Sequence, residues 1–215
     1  MNQSIIIANP IVAVLVIDVV DSAVPTARAL ASGGVMSIEL TLRTEAAIDA
    51  IREIRKNVPE ITVGAGTVIF PEQVRDVVDA GAHFAVAPGF QSSVAKAALA
   101  AELPFAPGVA VPSDVENALS LGFRVLKFYP AESMGGVSYL KAMAAPYAYL
   151  QLQFLPLGGV NMANIENYLS SPLIAAVGGS WIAKRDLIKA ANWQQITKNA
   201  REAVSVASRL RGEAG

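Results

Sequence analysis

The chain has no cysteine and a single histidine, His83, in 215 residues. Without thiols, disulfide scaffolds and thiolate metal sites are excluded, and zinc or iron centres that need two histidines cannot form. Charge is also scarce. Asp, Glu, Lys and Arg make up 16% of the residues, against about a quarter in an ordinary soluble domain. The 17 basic side chains nearly balance 18 acidic ones, giving a net charge of −1. A general electrostatic attraction to nucleic acid is therefore missing. Long hydrophobic runs are missing too. The N-terminal stretch MNQSIIIANPIVAVLVID is interrupted at Asn9-Pro10, before it reaches the ~20 residues that span a bilayer. It has no positively charged lead-in and no A-x-A cleavage pattern. These absences predict a soluble, cytoplasmic protein with no membrane or nucleic-acid partner; the lack of cysteine is compatible with any compartment.

What the chain does have is apolar surface to hide. Its apolar share of 53% is too high for intrinsic disorder. At this length one domain, residues 1–215, is the expectation. So apolar and poorly charged a chain has to bury strands on both faces or cover part of its surface in an oligomer.

Short β-branched runs alternate with alanine-rich helical stretches. IVAVLVI (11–17) reads as a strand, and VPTARALASGG as a helix stopped by Gly33-Gly34. VMSIELTL is followed by TEAAIDAIREIRKNV, an amphipathic helix with Thr44 as N-cap and Ala46, Ala47, Ile48, Ile51, Ile54 and Val58 on its apolar side. ITVGAG, HFAVAP, LPFAPG, RVLKFYP, YLQLQFLPLGG and LIAAVGGS continue the strand series, each followed by a helical pattern, and the tail from Asp186 to Arg211 reads as helix. Eight strand–helix units follow a short N-terminal helical piece. Apolar strands separated by helices mean a parallel sheet covered on both sides. Eight similar units favour a closed (β/α)8 TIM barrel over an open doubly wound sheet. In such a barrel catalysis belongs at the carboxyl ends of the strands.

Those ends carry a short set of polar residues and glycines: Glu39, Thr41 and Arg43; Gly64, Gly66 and Thr67; Pro88-Gly89; Pro107-Gly108; Lys127, Tyr129, Pro130 and Glu132; Gly158-Gly159; and Gly178-Gly179-Ser180. Lys127 lies inside an apolar strand, with Val125 and Tyr129 on its own face and Leu126 and Phe128 on the other. It is either paired with a carboxylate or snorkelling, or it is a desolvated amine suited to attack a carbonyl carbon. Lys56, Lys96, Lys141, Lys184, Lys189 and Lys198 fall on predicted helices or loops. Glu39 is either half of a structural ion pair with Arg43 or Lys127, or a general base beside the lysine. Glycine pairs after the last two strands mark a phosphate position in barrels. GAGT (64–67) reads as a turn that lets backbone approach a substrate. His83 belongs to the opposite rim, Trp181 and Trp193 to helix packing, and Asp18 lies near enough to the rim to stay open.

Taken together, IELTLRT (38–44), VGAGTV (63–68), VAPGF (86–90), LKFYPAE (126–132), PLGGVN (156–161) and VGGSWI (177–182) resemble the 2-keto-3-deoxy-6-phosphogluconate aldolase family, which includes 4-hydroxy-2-oxoglutarate aldolases. The resemblance implies a (β/α)8 barrel, a homotrimer, and class I aldol chemistry with no metal or other cofactor. It matches Lys127 to the Schiff-base lysine and Glu39 to the general acid/base. Arg43 and Thr67 match residues around the pyruvyl carboxylate, and Pro88 matches a wall of that pocket. Gly158, Gly159, Gly179 and Ser180 match the phosphate site. The implied partners are a small keto acid and a phosphorylated aldehyde. The chain departs from the family at Leu157, where many members carry threonine and galactonate-type relatives an apolar residue. Apart from the resemblance, a phosphosugar isomerase and a phosphate-ligand binding protein remain competing readings; borohydride trapping and pyruvate release separate them from an aldolase.

Overall fold

A computed structural model describes residues 2–212. The elements alternate along the chain. Strand β1 (Ile11–Leu15) leads to α1 (Ala23–Ser32), β2 (Ser37–Thr41) to α2 (Ala47–Asn57), β3 (Thr62–Gly66) to α3 (Pro71–Asp79), and β4 (Phe84–Val86) to α4 (Ser92–Ala100). Then come β5 (Phe105–Ala106), β6 (Gly108–Val109), α5 (Pro112–Ser120), β7 (Val125–Phe128), α6 (Gly136–Ala144), β8 (Gln153–Pro156), α7 (Ile165–Leu169) and β9 (Val177–Gly179). Helices α8 (Arg185–Lys189) and α9 (Trp193–Arg211) close the chain. The short N-terminal helix is a 3-10 turn, Ser4–Ile7.

All strand pairings are parallel. Six strands form one sheet in the order β5-β4-β3-β2-β1-β9, and three form another, β6-β7-β8. The fold is thus an α/β arrangement with a parallel sheet that curls. The predicted fifth strand is interrupted at Pro107, which has no N–H to give a ladder; its first half pairs with β4 and its second with β7.

Strand alternation sorts the core into two layers. Leu126 and Phe128 join the large cluster that packs against the helices, whereas Val125 joins a smaller one with Val12, Phe84, Val86, Leu155 and Leu157. Ile6 of the N-terminal turn packs into that second cluster. Gln3 pins the turn in place: its side-chain amide donates to the carbonyls of Phe105 and Val125 and accepts from the N–H groups of Arg124 and Val125. The start of β7 is therefore fixed by the N-terminal turn. Among the described residues no helix is long and apolar enough to cross a membrane.

Four local expectations change. The second predicted helix starts at Ala47 rather than after Thr44, because the Thr44 hydroxyl donates to the carbonyl of Ile17 instead of capping. The tail is two helices, broken where Ala191 takes a left-handed conformation (φ 51°) and the side chain of Asn192 accepts from the Gln195 N–H. The first strand ends at Leu15 rather than at Ile17. Gly64 and Gly66 lie within β3, as the strand reading of ITVGAG has them and not as the turn reading of GAGT has them.

Candidate active site

Glu39 sits in the middle of β2, and β2 is buried at every position. Lys127 sits in β7, with Gly108 beside it on one neighbour and Leu155 on the other. Each projects from its own strand into the space beneath the carboxyl ends, where they meet. Lys127 Nζ lies 2.9 Å from Glu39 Oε1, with only 6% and 1% of the two side chains exposed. Of the readings left open for these residues, the ion pair is the one seen, between Glu39 and Lys127 rather than Arg43, and the pair lies in a cavity wall. Removing two charges from water costs several kcal/mol per ion before their attraction offsets it, so the pair is a poor device for stability alone. The second oxygen, Glu39 Oε2, is buried and has no protein partner.

The glycines of β3 make room for this carboxylate. A side-chain carbon on Gly66 would fall 2.1 Å from Glu39 Oε1, and one on Gly64 would fall 2.2 Å from the Phe84 ring. Spatial exclusion, rather than turn geometry, accounts for both. The residue after them, Thr67, adopts φ 61°. A β-branched residue in the left-handed region is a genuine outlier, costing on the order of 1–3 kcal/mol, and such strain clusters at functional positions.

A cavity of about 400 Å³ opens here. Glu39, Arg43, Thr67, Pro88, Lys127, Gly158, Gly159, Gly179 and Ser180 all line it. The structure therefore brings together the nine residues matched to catalytic and substrate-binding roles, although they come from six separate stretches of chain; Gly89, Pro107, Pro130 and Glu132 from the same strand ends do not line the cavity. Thr41, Tyr129 and Leu157 from the same strand ends also line it, as do Val14 and Val160. The last two were not anticipated. Val14 lies in a continuous apolar run, where alternation between faces leaves no mark in the sequence.

The cavity is cationic at one end and rich in backbone at the other. The Arg43 Nε donates to the Thr41 hydroxyl at 3.1 Å, and Thr41 itself donates to the Leu15 carbonyl at 2.9 Å. Tyr129 places its ring 5.6 Å from Lys127 Nζ. At the far end Gly158 and Gly159 turn with φ 90° and 88°, a conformation that L side chains rarely adopt. Gly179 is bare because the Trp181 ring packs 2.0 Å from where a side-chain carbon would stand.

Other candidates lie elsewhere. The Nδ1 of His83 accepts the Val63 N–H at 2.9 Å below β3, and burial pushes its pKa down, aided by Arg55. Asp18 follows β1 on the rim, but its carboxylate is engaged by Arg185 and, at 3.6 Å, by Lys189. The Arg185 hydrogen bond holds its pKa at about 2.

Comparison with known proteins agrees with this geometry. Residues 3–199 match the family model described as KDPG and KHG aldolase. The chain is 45% identical over 202 residues to the KHG/KDPG aldolase of Escherichia coli K12, covering 94% of both chains. It is 43% identical over 206 residues to the 2-dehydro-3-deoxy-phosphogluconate aldolase of Dickeya dadantii, covering 96% of both. Among solved structures, the KDPG aldolase of Legionella pneumophila, with pyruvate captured at low pH as a covalent carbinolamine intermediate, superposes with a TM-score of 0.89 at 41% identity, covering 94% of this chain and 97% of that one. On fold and sequence alike, the chain belongs to the KDPG and KHG aldolase family.

Proposed function

We propose that the protein is a class I aldehyde-lyase that reversibly cleaves 2-keto-3-deoxy-6-phosphogluconate to pyruvate and glyceraldehyde 3-phosphate, and 4-hydroxy-2-oxoglutarate to pyruvate and glyoxylate. The observation that carries this reading is the buried Lys127–Glu39 pair at the floor of a cavity. Lys127 gives a proton to Glu39 at 2.9 Å and becomes a neutral amine that attacks the C2 ketone. Proton return from Glu39 lets water leave the carbinolamine, forming an iminium ion. The iminium withdraws electrons from C3, and this chemistry requires no metal. Glu39, with one oxygen free of protein partners, then removes the C4 hydroxyl proton. The C3–C4 bond breaks, the aldehyde departs, and the remaining pyruvate enamine is protonated at C3 and hydrolysed.

The rest of the cavity positions the substrate. Arg43 offers two parallel N–H donors to the keto-acid carboxylate, with Thr67 and Pro88 beside it. The turns at Gly158-Gly159 and Gly179-Ser180 take the distal phosphate on backbone N–H groups and the Ser180 hydroxyl. Binding energy from the phosphate then holds the reacting carbons in line. Leu157 stands between the two ends, its side chain in the inner apolar cluster. It gives no hydrogen bond to the sugar chain, and this favours a second substrate, the galactonate C4 epimer.

The two sheets support reading the fold as one closed (β/α)8 barrel in a single domain spanning 1–215. Only Pro107 separates β5 from β6. At the other seam the Phe154 N–H donates to the Leu173 carbonyl at 2.8 Å, and the Ala175 N–H donates back to Phe154 at 3.3 Å. Assembly as a cytoplasmic homotrimer follows the family resemblance, and exposed apolar side chains such as Val19 and Phe70 are compatible with burial between copies; sedimentation equilibrium decides it. The function is tested by kcat/KM on the two phosphorylated epimers and 4-hydroxy-2-oxoglutarate, reading pyruvate with lactate dehydrogenase. Pyruvate release from at least one is expected, and release from none rejects the aldolase.

A further inference from the structure

Glu132 ends the LKFYPAE stretch but is absent from the lining of the cavity. Its backbone nevertheless touches the turn that the proposed function assigns to phosphate. The Glu132 N–H donates to the Gly158 carbonyl at 3.0 Å, and the Ala131 N–H to the Leu157 carbonyl at 2.8 Å. The contact is close enough to exclude a side chain at Gly159 and to crowd one at Gly158. A side-chain carbon on Gly159 would fall 2.5 Å from Glu132 Cβ, and one on Gly158 would fall 3.1 Å from Pro130 Cα.

The Glu132 carboxylate is held from behind. Its Oε1 accepts a hydrogen bond from the Tyr168 hydroxyl. Tyr168 is 1% exposed and sits on α7, the helix that the glycine turn leads into. Between turn and helix, the side-chain amides of Asn161 and Asn164 both donate to the Gly159 carbonyl, at 2.9 and 3.1 Å. Turn, helix, tyrosine and glutamate thus form a closed loop of contacts. Gly136 completes the fit, because a side-chain carbon there would stand 3.1 Å from Glu132 Oε1 and 3.4 Å from the Tyr168 hydroxyl. Burial and the adjacent carboxylate push the Tyr168 hydroxyl above its ordinary pKa, so it remains a donor at any working pH.

We infer that Glu132 is a positioning residue: clamped by Tyr168, it presses the Tyr129–Glu132 backbone against Gly158-Gly159 and fixes the end of the cavity that receives the substrate's phosphate. This rests on the functional reading above for the ligand, but the clamp itself does not. Losing it lets the turn shift, while Lys127 and Glu39 stay held by the ladders that pair β7 with β6 and β8 and β2 with β1 and β3. A 1 Å misplacement is enough to matter, and about a tenfold loss is expected for a partial one.

The test uses Tyr168→Phe, Glu132→Ala and Glu132→Gln in the full-length protein. Hydrogen exchange of the peptide spanning 156–164 should quicken in Tyr168→Phe and Glu132→Ala and stay at the wild-type rate in Glu132→Gln, whose amide oxygen still accepts from the tyrosine. The kcat/KM for the phosphorylated substrate should fall about tenfold in the first two and be restored in Glu132→Gln, with cleavage of 4-hydroxy-2-oxoglutarate changed less than twofold. Unchanged exchange in both disruptive variants overturns the clamp. Quickened exchange with equal losses on both substrates overturns its link to phosphate. A wild-type protein that cleaves neither substrate refutes the aldolase instead, while exchange still decides the clamp.

Discussion

Lys127 and Glu39 meet with 6% and 1% of their side chains exposed, whereas Asp18, Arg185 and Lys189 meet with 25%, 50% and 56% exposed. Both clusters join residues distant in sequence at the carboxyl ends of strands. The exposed trio ties the loop after β1 to helix α8 and is screened by solvent and salt, so it contributes little to stability. The buried pair is held against a desolvation cost that a well-packed apolar pair would avoid. One cluster explains itself as a surface tie between segments. The other is accounted for by the chemistry proposed for it.

Substitution should separate the two sharply. Lys127→Met is expected to abolish turnover, and Glu39→Gln to lower kcat by about 10²–10⁴-fold; wild-type-like cleavage by Lys127→Met would sink the assignment. Stability should move the other way in combination. Lys127→Met alone leaves a carboxylate buried without its partner and destabilises the fold. The double variant Lys127→Met/Glu39→Leu removes both charges without leaving an unpaired polar group and should be at least as stable as wild type in denaturant melts, since apolar replacement of buried pairs is often neutral or stabilising by about 1–4 kcal/mol. A double variant clearly less stable than wild type would mean that the pair holds the fold together.

The smallest effect is expected at the surface. Asp18→Asn should leave kcat/KM within twofold. Because the folded-state pKa of Asp18 lies at about 2, below the ordinary 3.8, its contribution is present above about pH 4 and fades as pH falls toward 2. Wild type and Asp18→Asn should therefore differ at pH 6 and converge near pH 2, and 1 M salt should shrink the difference. A difference that persists at pH 2 would assign the effect to packing rather than charge.

The contrast also shows what a sequence can and cannot reveal here. Strand–helix alternation is legible because parallel strands buried on both faces are apolar throughout, and a lysine or glutamate inside such a strand stands out at once. The rim residues follow from the rule that parallel sheets present their sites at strand ends. Thr44 reads as a cap because capping is local, but its hydroxyl goes to Ile17, 27 residues away. GAGT reads as a turn because glycine suits turns, whereas Gly66 answers to the carboxylate of Glu39 on the neighbouring strand. Tyr168 lies in the polar stretch NIENYLSS, and its partner Glu132 is 36 residues distant. No periodicity pairs the two, so only the folded chain reveals the clamp.

The most direct measurement is mass spectrometry of the protein reduced with borohydride in the presence of pyruvate, followed by peptide mapping. One reduced pyruvyl group is predicted on Lys127, absent from Lys127→Met and still formed in Tyr168→Phe. No added mass, or the adduct on another lysine, would contradict the account.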